Sequence, residues 1–174
     1  MHPKLLQRFT AIEAERKALL AELVHLQEDI LNYSPPGKWS VNQILMHLMT
    51  SERMSLIYMK KKSLGINDVG DSGVIESLKL LTLRVSQRLP FRFKAPQALV
   101  ENTPEPLPLP QLMKKWDSAR SNVYSFLETI QDQHIHKKIY KHPVVGRLDV
   151  MQAMVFFNEH IHHHWPQVKN LLKN

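Results

Sequence analysis

The stretch Asp149-Val150-Met-Gln-Ala-Met-Val-Phe-Phe-Asn-Glu-His160-Ile-His-His-His164-Trp-Pro-Gln-Val168 sets both the fold and the candidate chemistry of this chain. With Val150 at zero and about 100° of rotation per residue, Ala153, Met154, Phe157, Ile161, Val168, Leu171 and Leu172 fall between roughly 300° and 40°. One apolar stripe of this kind predicts an amphipathic helix with a single face in a core. Asp149 and Gln152 stand three apart at its start, the spacing of an N-cap pair. Pro166 removes a backbone donor and is expected to bend the helix just past the histidines.

Four of the ten histidines crowd into five positions of this helix. They are not equivalent: His164 lies inside the stripe at about 320° and His160 at its edge near 280°, while His162 and His163 point away at about 120° and 220°. Imidazoles at i and i+4 sit one above the other on a helix face and can hold one ion at about 2.0–2.1 Å from each nitrogen. The same spacing also suits two partly buried histidines with ordinary hydrogen-bond partners, so a third ligand is needed to choose between the readings.

Outward from this helix the chain continues the helical pattern. From Pro3 to Leu31 apolar residues recur at spacings of mostly three or four, which predicts a first helix. Tyr33-Ser-Pro-Pro-Gly-Lys38 breaks it. Ser40 and Gln43 have capping-box spacing, and a second helix is expected from there to about Lys62. Gly65 to Gly73 reads as a loop and Val74 to Leu89 as a shorter helix. Pro90, Pro96, Pro104, Pro106, Pro108 and Pro110 predict a long extended crossing, and periodicity resumes from Gln111 to about Ile130. Lys141-His-Pro-Val-Val-Gly-Arg147 is expected to be a turn. Four long helices, a short one and no convincing strand give an all-α fold, a four-helix bundle with a long Pro-rich crossover, as one domain over residues 1–174.

In the second helix Val41, Ile44, Leu45 and Leu48 define the core-facing stripe, and His47 lies about 60° from Ile44 at its margin. It is placed to look across to another helix, although a lone histidine beside an apolar face is by itself most simply a boundary residue.

Composition narrows the chemistry. With no cysteine there is no disulfide, thiolate metal site or cysteine nucleophile, so a metal must take nitrogen and oxygen ligands. The amphipathic, charged N-terminus does not read as a signal peptide, and no apolar stretch reaches the roughly 18 residues of a membrane span, which leads to the expectation of a soluble cytoplasmic protein without membrane partners. The formal charge is +7, but the lysines and arginines are dispersed and no aromatics interleave them, so nucleic acid is not an expected partner. Glu159 precedes His160, which is not the His-Glu-x-x-His order of zinc proteases. Glu52, five residues after His47, is a candidate base or outer-sphere group, with a surface carboxylate the simpler reading.

Two segments carry a resemblance: Gly37-Lys-Trp-Ser-Val-Asn-Gln-Ile-Leu-Met-His-Leu48, and the turn His142-Pro-Val-Val-Gly-Arg-Leu148 with its following His160-Ile-His-His-His-Trp-Pro-Gln167. In this order they resemble the DinB/YfiT-like family of metal-dependent, bacillithiol-transferase-like four-helix bundles along nearly the whole chain. The resemblance implies that His47, His160 and His164 hold one divalent ion at an end of the bundle. Residues like His163 and Gln167 also recur in such proteins. Three neutral imidazoles would leave coordination positions open, the layout of a catalytic site. The metal expected on such ligands is zinc or nickel first, then iron, cobalt, copper or manganese. Relatives of the fold include thiol-dependent transferases and isomerases, which implies a metal that activates a low-molecular-weight thiol. The expectation is thus a metal-dependent thiol transferase or hydrolase acting on a small-molecule substrate, able to pair as a homodimer. A non-catalytic, metal-stabilised binding or stress-response protein is the alternative.

Overall fold

The structure is a computed structural model and describes residues 1–88 and 105–173. Six helices run through them: α1 Pro3–Ala21, α2 Glu28–Asn32, α3 Val41–Ser63, α4 Val74–Arg88, α5 Leu109–Thr129 and α6 Val150–Leu171. Helices α1, α6, α3 and α5 pack in a closed ring in which each touches the next, and α4 lies outside against α6. The result is the expected four-helix bundle. Trp116 and Phe157 are the largest apolar side chains fully enclosed by it. No helix among the described residues is long and apolar enough to cross a membrane.

Helix α1 stops at Ala21 rather than near Leu31. The amides of Leu23 and Leu26 bond three residues back, to Leu20 and Leu23 at 3.0 Å each, and Gln27 turns extended at ψ 148° before α2 begins. No proline or glycine marks the break. The tight turn keeps the apolar spacing, so Leu23 and Leu31 are both fully buried and the periodicity runs on through it. Glu28 fixes the redirected chain. One of its carboxylate oxygens accepts from the Leu109 amide at 2.6 Å and the other from Asn42 at 3.1 Å.

Helix α5 begins before Gln111, with Pro110 in its first turn. Proline is tolerated there because the first amides of a helix have no intrahelical partner. Of the Pro-rich crossover, residues 89–104 lie outside the described part of the chain. The expected turn at 141–147 is a hairpin of two short antiparallel strands, β1 Tyr140–His142 and β2 Gly146–Leu148. Gly146 takes φ +80°, where a side chain would be strained. The ring of His142 closes the turn: its Nδ1 accepts from the amides of Val144 and Val145 at 3.2 and 3.4 Å.

Both predicted capping boxes form. Ser40 and Gln43 exchange bonds at the start of α3, as do Asp149 and Gln152 at the start of α6. Asp149 does more than cap. Only 2% exposed, its Oδ2 also accepts from the Ser72 hydroxyl and lies 3.3 Å from His136 Nδ1. It thereby ties the loop before α4 to α6.

The α1–α5 seam is ionic. Arg16 and Arg120, each 2% exposed, share Glu13: Arg16 Nη2 donates to it at 3.0 Å and Arg120 Nε at 2.6 Å. Arg16 Nη2 also donates to Asp117 at 2.7 Å. Arg120 Nη1 and the Trp116 indole both reach Glu52 of α3 at 3.2 Å.

Asp149→Ala is expected to cost about 1–2 kcal/mol, because it removes the cap together with the acceptor for Ser72, and Ser40→Ala about 1 kcal/mol. Urea unfolding midpoints of the two variants test this ordering. An Asp149→Ala protein as stable as the parent would show that the loop does not depend on the cap.

Candidate metal centre

Each of the three histidines owes its place to a helix start. The Ser40 box sets α3, putting His47 about two turns in, and the Asp149 box sets α6, putting His160 and His164 on successive turns of one face. Helices α3 and α6 pack directly. The rings therefore meet in their seam, with centroids 5.0 Å apart for His47–His160, 5.0 Å for His47–His164 and 4.9 Å for His160–His164. Their exposures are 3%, 9% and 7%.

One ring nitrogen from each residue lies within 4.8 Å of the other two. The Nε2 atoms of His47 and His160 are 3.2 Å apart. Nitrogens sharing one tetrahedral ion at about 2.0–2.1 Å stand roughly 3.3 Å from each other, so this pair is already at coordination spacing. The other edge of His47 does not compete, since its Nδ1 is buried without a hydrogen-bond partner. On His164, Nδ1 lies 3.0 Å from Gln167 Oε1. An amide oxygen only accepts, so Nδ1 carries the proton and Nε2 keeps the lone pair with which an ion can be bound. Gln167 in turn approaches His163 Nε2 with its own amide nitrogen at 3.3 Å. The donor set therefore fits a divalent ion of imidazole preference, and His164 has the outer hydrogen bond that metal-ligating histidines usually show.

Aromatic rings line the seam. Trp39, the residue before the Ser40 cap, lies 4.9 Å from His47, and Phe156 stacks on His160 at 5.1 Å. Phe156 also meets His142 of the hairpin at 4.6 Å.

His163 is only partly buried, and it meets the triad at its edge, with its ring 4.9 Å from that of His164 and Gln167 between them. His162 faces α1, 3.7 Å from Glu15. The expectation of a surface position for Glu52 is corrected: it is 3% exposed and its Oε2 is engaged by Trp116 and Arg120. Glu159 is likewise buried and pairs with Arg84 of α4 at 3.0 Å. The outer role of Gln167 was available as spacing, three residues after His164 and four after His163. The Glu52 network joins residues on three helices and had no local signal.

Burial disfavours the imidazolium form throughout the cluster. Loss of solvation, with a contribution from His163, brings the His47 pKa down to about 4. The same cause, with His47 and His163 adding and Gln167 opposing, brings His164 to about 3. His160 is lowered well below its ordinary value by burial and then by its histidine neighbours, and burial lowers His142 to about 4. All four are neutral at pH 7, the form in which imidazole binds metal.

In the unfolded chain these groups titrate near 6.5, so below that pH the unfolded state binds more protons than the folded state. The metal-free protein should have full stability above about pH 6.5 and lose it as the pH falls towards about 4, by up to about 1.4 kcal/mol per pH unit for each such histidine. Urea unfolding across this window should show that slope, and a shallower one for His164→Gln. A flat profile in the parent would contradict the buried neutral state.

No curated protein matches this chain. Among solved structures, YfiT from Bacillus subtilis, described as a probable metal-dependent hydrolase with an unusual four-helix bundle topology, superposes with a TM-score of 0.59 at 16% identity. The alignment covers 99% of this chain and 88% of YfiT, so the two share a fold. The sequence also matches the DinB superfamily over residues 11–168, which takes in α3, most of α6 and all three histidines. On that match the chain belongs to the DinB superfamily.

Proposed function

We propose that His47, His160 and His164 bind one divalent metal ion and that the centre is catalytic, in a hydrolysis or a thiol-transfer reaction on a small molecule. The observation that supports this is the meeting of three neutral imidazole edges in one buried seam. A divalent ion held there by His47, His160 and His164 would supply a Lewis acid, able to lower the pKa of a water or thiol. Zinc or nickel suits the all-nitrogen set best. The resemblance of YfiT, itself described as a probable metal-dependent hydrolase, is in line with the hydrolytic reading.

The chain's own residues divide the remaining work. Gln167 holds the His164 tautomer and ring orientation. Phe156, stacked on His160, and Trp39, against His47, restrict both rings and exclude water from their faces. Glu52 serves the bundle rather than the reaction, because its oxygen is committed to α5.

Metal analysis of the purified, metal-loaded protein should find about one ion per chain, and His160→Ala or His164→Ala should lose it. Gln167→Ala should keep the fold but bind the ion about 10–100-fold more weakly. Full metal retention in His160→Ala would overturn the ligand assignment. A loaded protein that turns over neither activated esters nor a thiol with a soft electrophile would favour the non-catalytic, metal-stabilised alternative.

A further inference from the structure

The α1–α5 seam is rich in donors and poor in acceptors. Arg16 and Arg120 are each 98% withdrawn from solvent, yet Arg16 Nε, Arg16 Nη1 and Arg120 Nη2 are buried without a hydrogen-bond partner. The three nitrogens carry several N–H groups between them. Both oxygens of Glu13 are already taken, and Glu52 Oε2 accepts two donors. Buried polar groups are nearly always satisfied, and unmade bonds to a charged group are costly. Stacking accounts for part of the arrangement: the Arg120 guanidinium lies 4.5 Å over Phe9 and that of Arg16 5.5 Å from Trp116. It supplies no in-plane acceptors.

These arginines floor a groove of about 470 Å³ whose walls include Lys17, Asp117, Ser121 and Tyr124. That volume is far more than a single water needs. We propose that the groove is a second binding site, separate from the histidine cluster, for a small oxyanion, a carboxylate or a phosphate. Asp117 marks the place. Its side chain is 65% exposed while its carboxylate occupies Arg16 Nη2, so it is a replaceable acceptor at the groove's mouth. An incoming oxyanion takes its position on Arg16 and brings a further acceptor for the neighbouring N–H groups, in the paired geometry that guanidinium favours. Lys17 adds a third cation to the lining, the Ser121 and Tyr124 hydroxyls can donate, and Phe9 packed edge-on against Tyr124 at 5.3 Å offers an apolar wall.

Inorganic phosphate and benzoate, titrated at constant ionic strength against chloride, test this through the ¹H–¹⁵N signals of the Arg16 and Arg120 Nε–H and the Trp116 indole. Saturable shifts are expected, with Asp117→Asn binding several-fold more tightly because the competing carboxylate is gone, and Lys17→Gln several-fold more weakly. Both substitutions are at exposed positions and spare the buried core. Saturation by phosphate alone identifies a phosphate site, and by benzoate alone a carboxylate site that uses the Phe9 wall. No saturable shift with either anion in the parent and in Asp117→Asn overturns the proposal and leaves a hydrated ionic seam. Shifts that neither substitution changes overturn it as well, by placing the anion elsewhere.

Discussion

The packing of α3 against α6 is the contact on which the rest of the candidate site depends. It buries three imidazole rings from two helices in one seam, and burial keeps those rings neutral at physiological pH. Neutrality is what lets three like groups gather without repulsion, two of them with nitrogens 3.2 Å apart, and it is also the form that can donate to a metal. A slip of one residue in either helix would turn about 100° of face and take a ring out of the seam.

The capping boxes are the devices that prevent such a slip. Ser40 and Asp149 fix where α3 and α6 begin, and hence which way every later side chain faces. Asp149 is held in turn by the loop before α4 and stands directly after the hairpin that His142 closes. The centre is therefore positioned by short-range chemistry at helix starts, eleven and fifteen residues upstream of His160 and His164 on α6, and seven upstream of His47 on α3.

The bundle and the His160–His164 pair were legible in the sequence because both are periodic, whereas periodicity placed His47 only at a stripe margin and its role as third ligand rested on the family resemblance. The apolar stripes of α3, α5 and α6, the two capping pairs and the separation of His160 and His164 from His162 and His163 all follow from helical rotation. What escaped was not periodic. The break after Ala21 preserves the apolar spacing and contains no helix breaker, so it was invisible in pattern alone. Strands of three residues at Tyr140–His142 and Gly146–Leu148 are too short for an alternation to declare itself. Glu52 was legible as a candidate but not as a buried one, since its burial depends on Arg120 and Trp116 more than sixty residues away.

The ionic seam between α1 and α5 has a consequence for how this chain can change over generations. Arg120, Glu13 and Glu52 pair with one another inside the bundle, on three different helices. Removing one member of such a set strands the others and typically costs several kcal/mol, whereas replacing the whole set by well-packed apolar residues can be neutral. Single steps away from it are therefore barred while concerted ones are open. These positions should drift as a block, whereas Asp117, which pairs with Arg16 at the solvent edge, is free to vary alone.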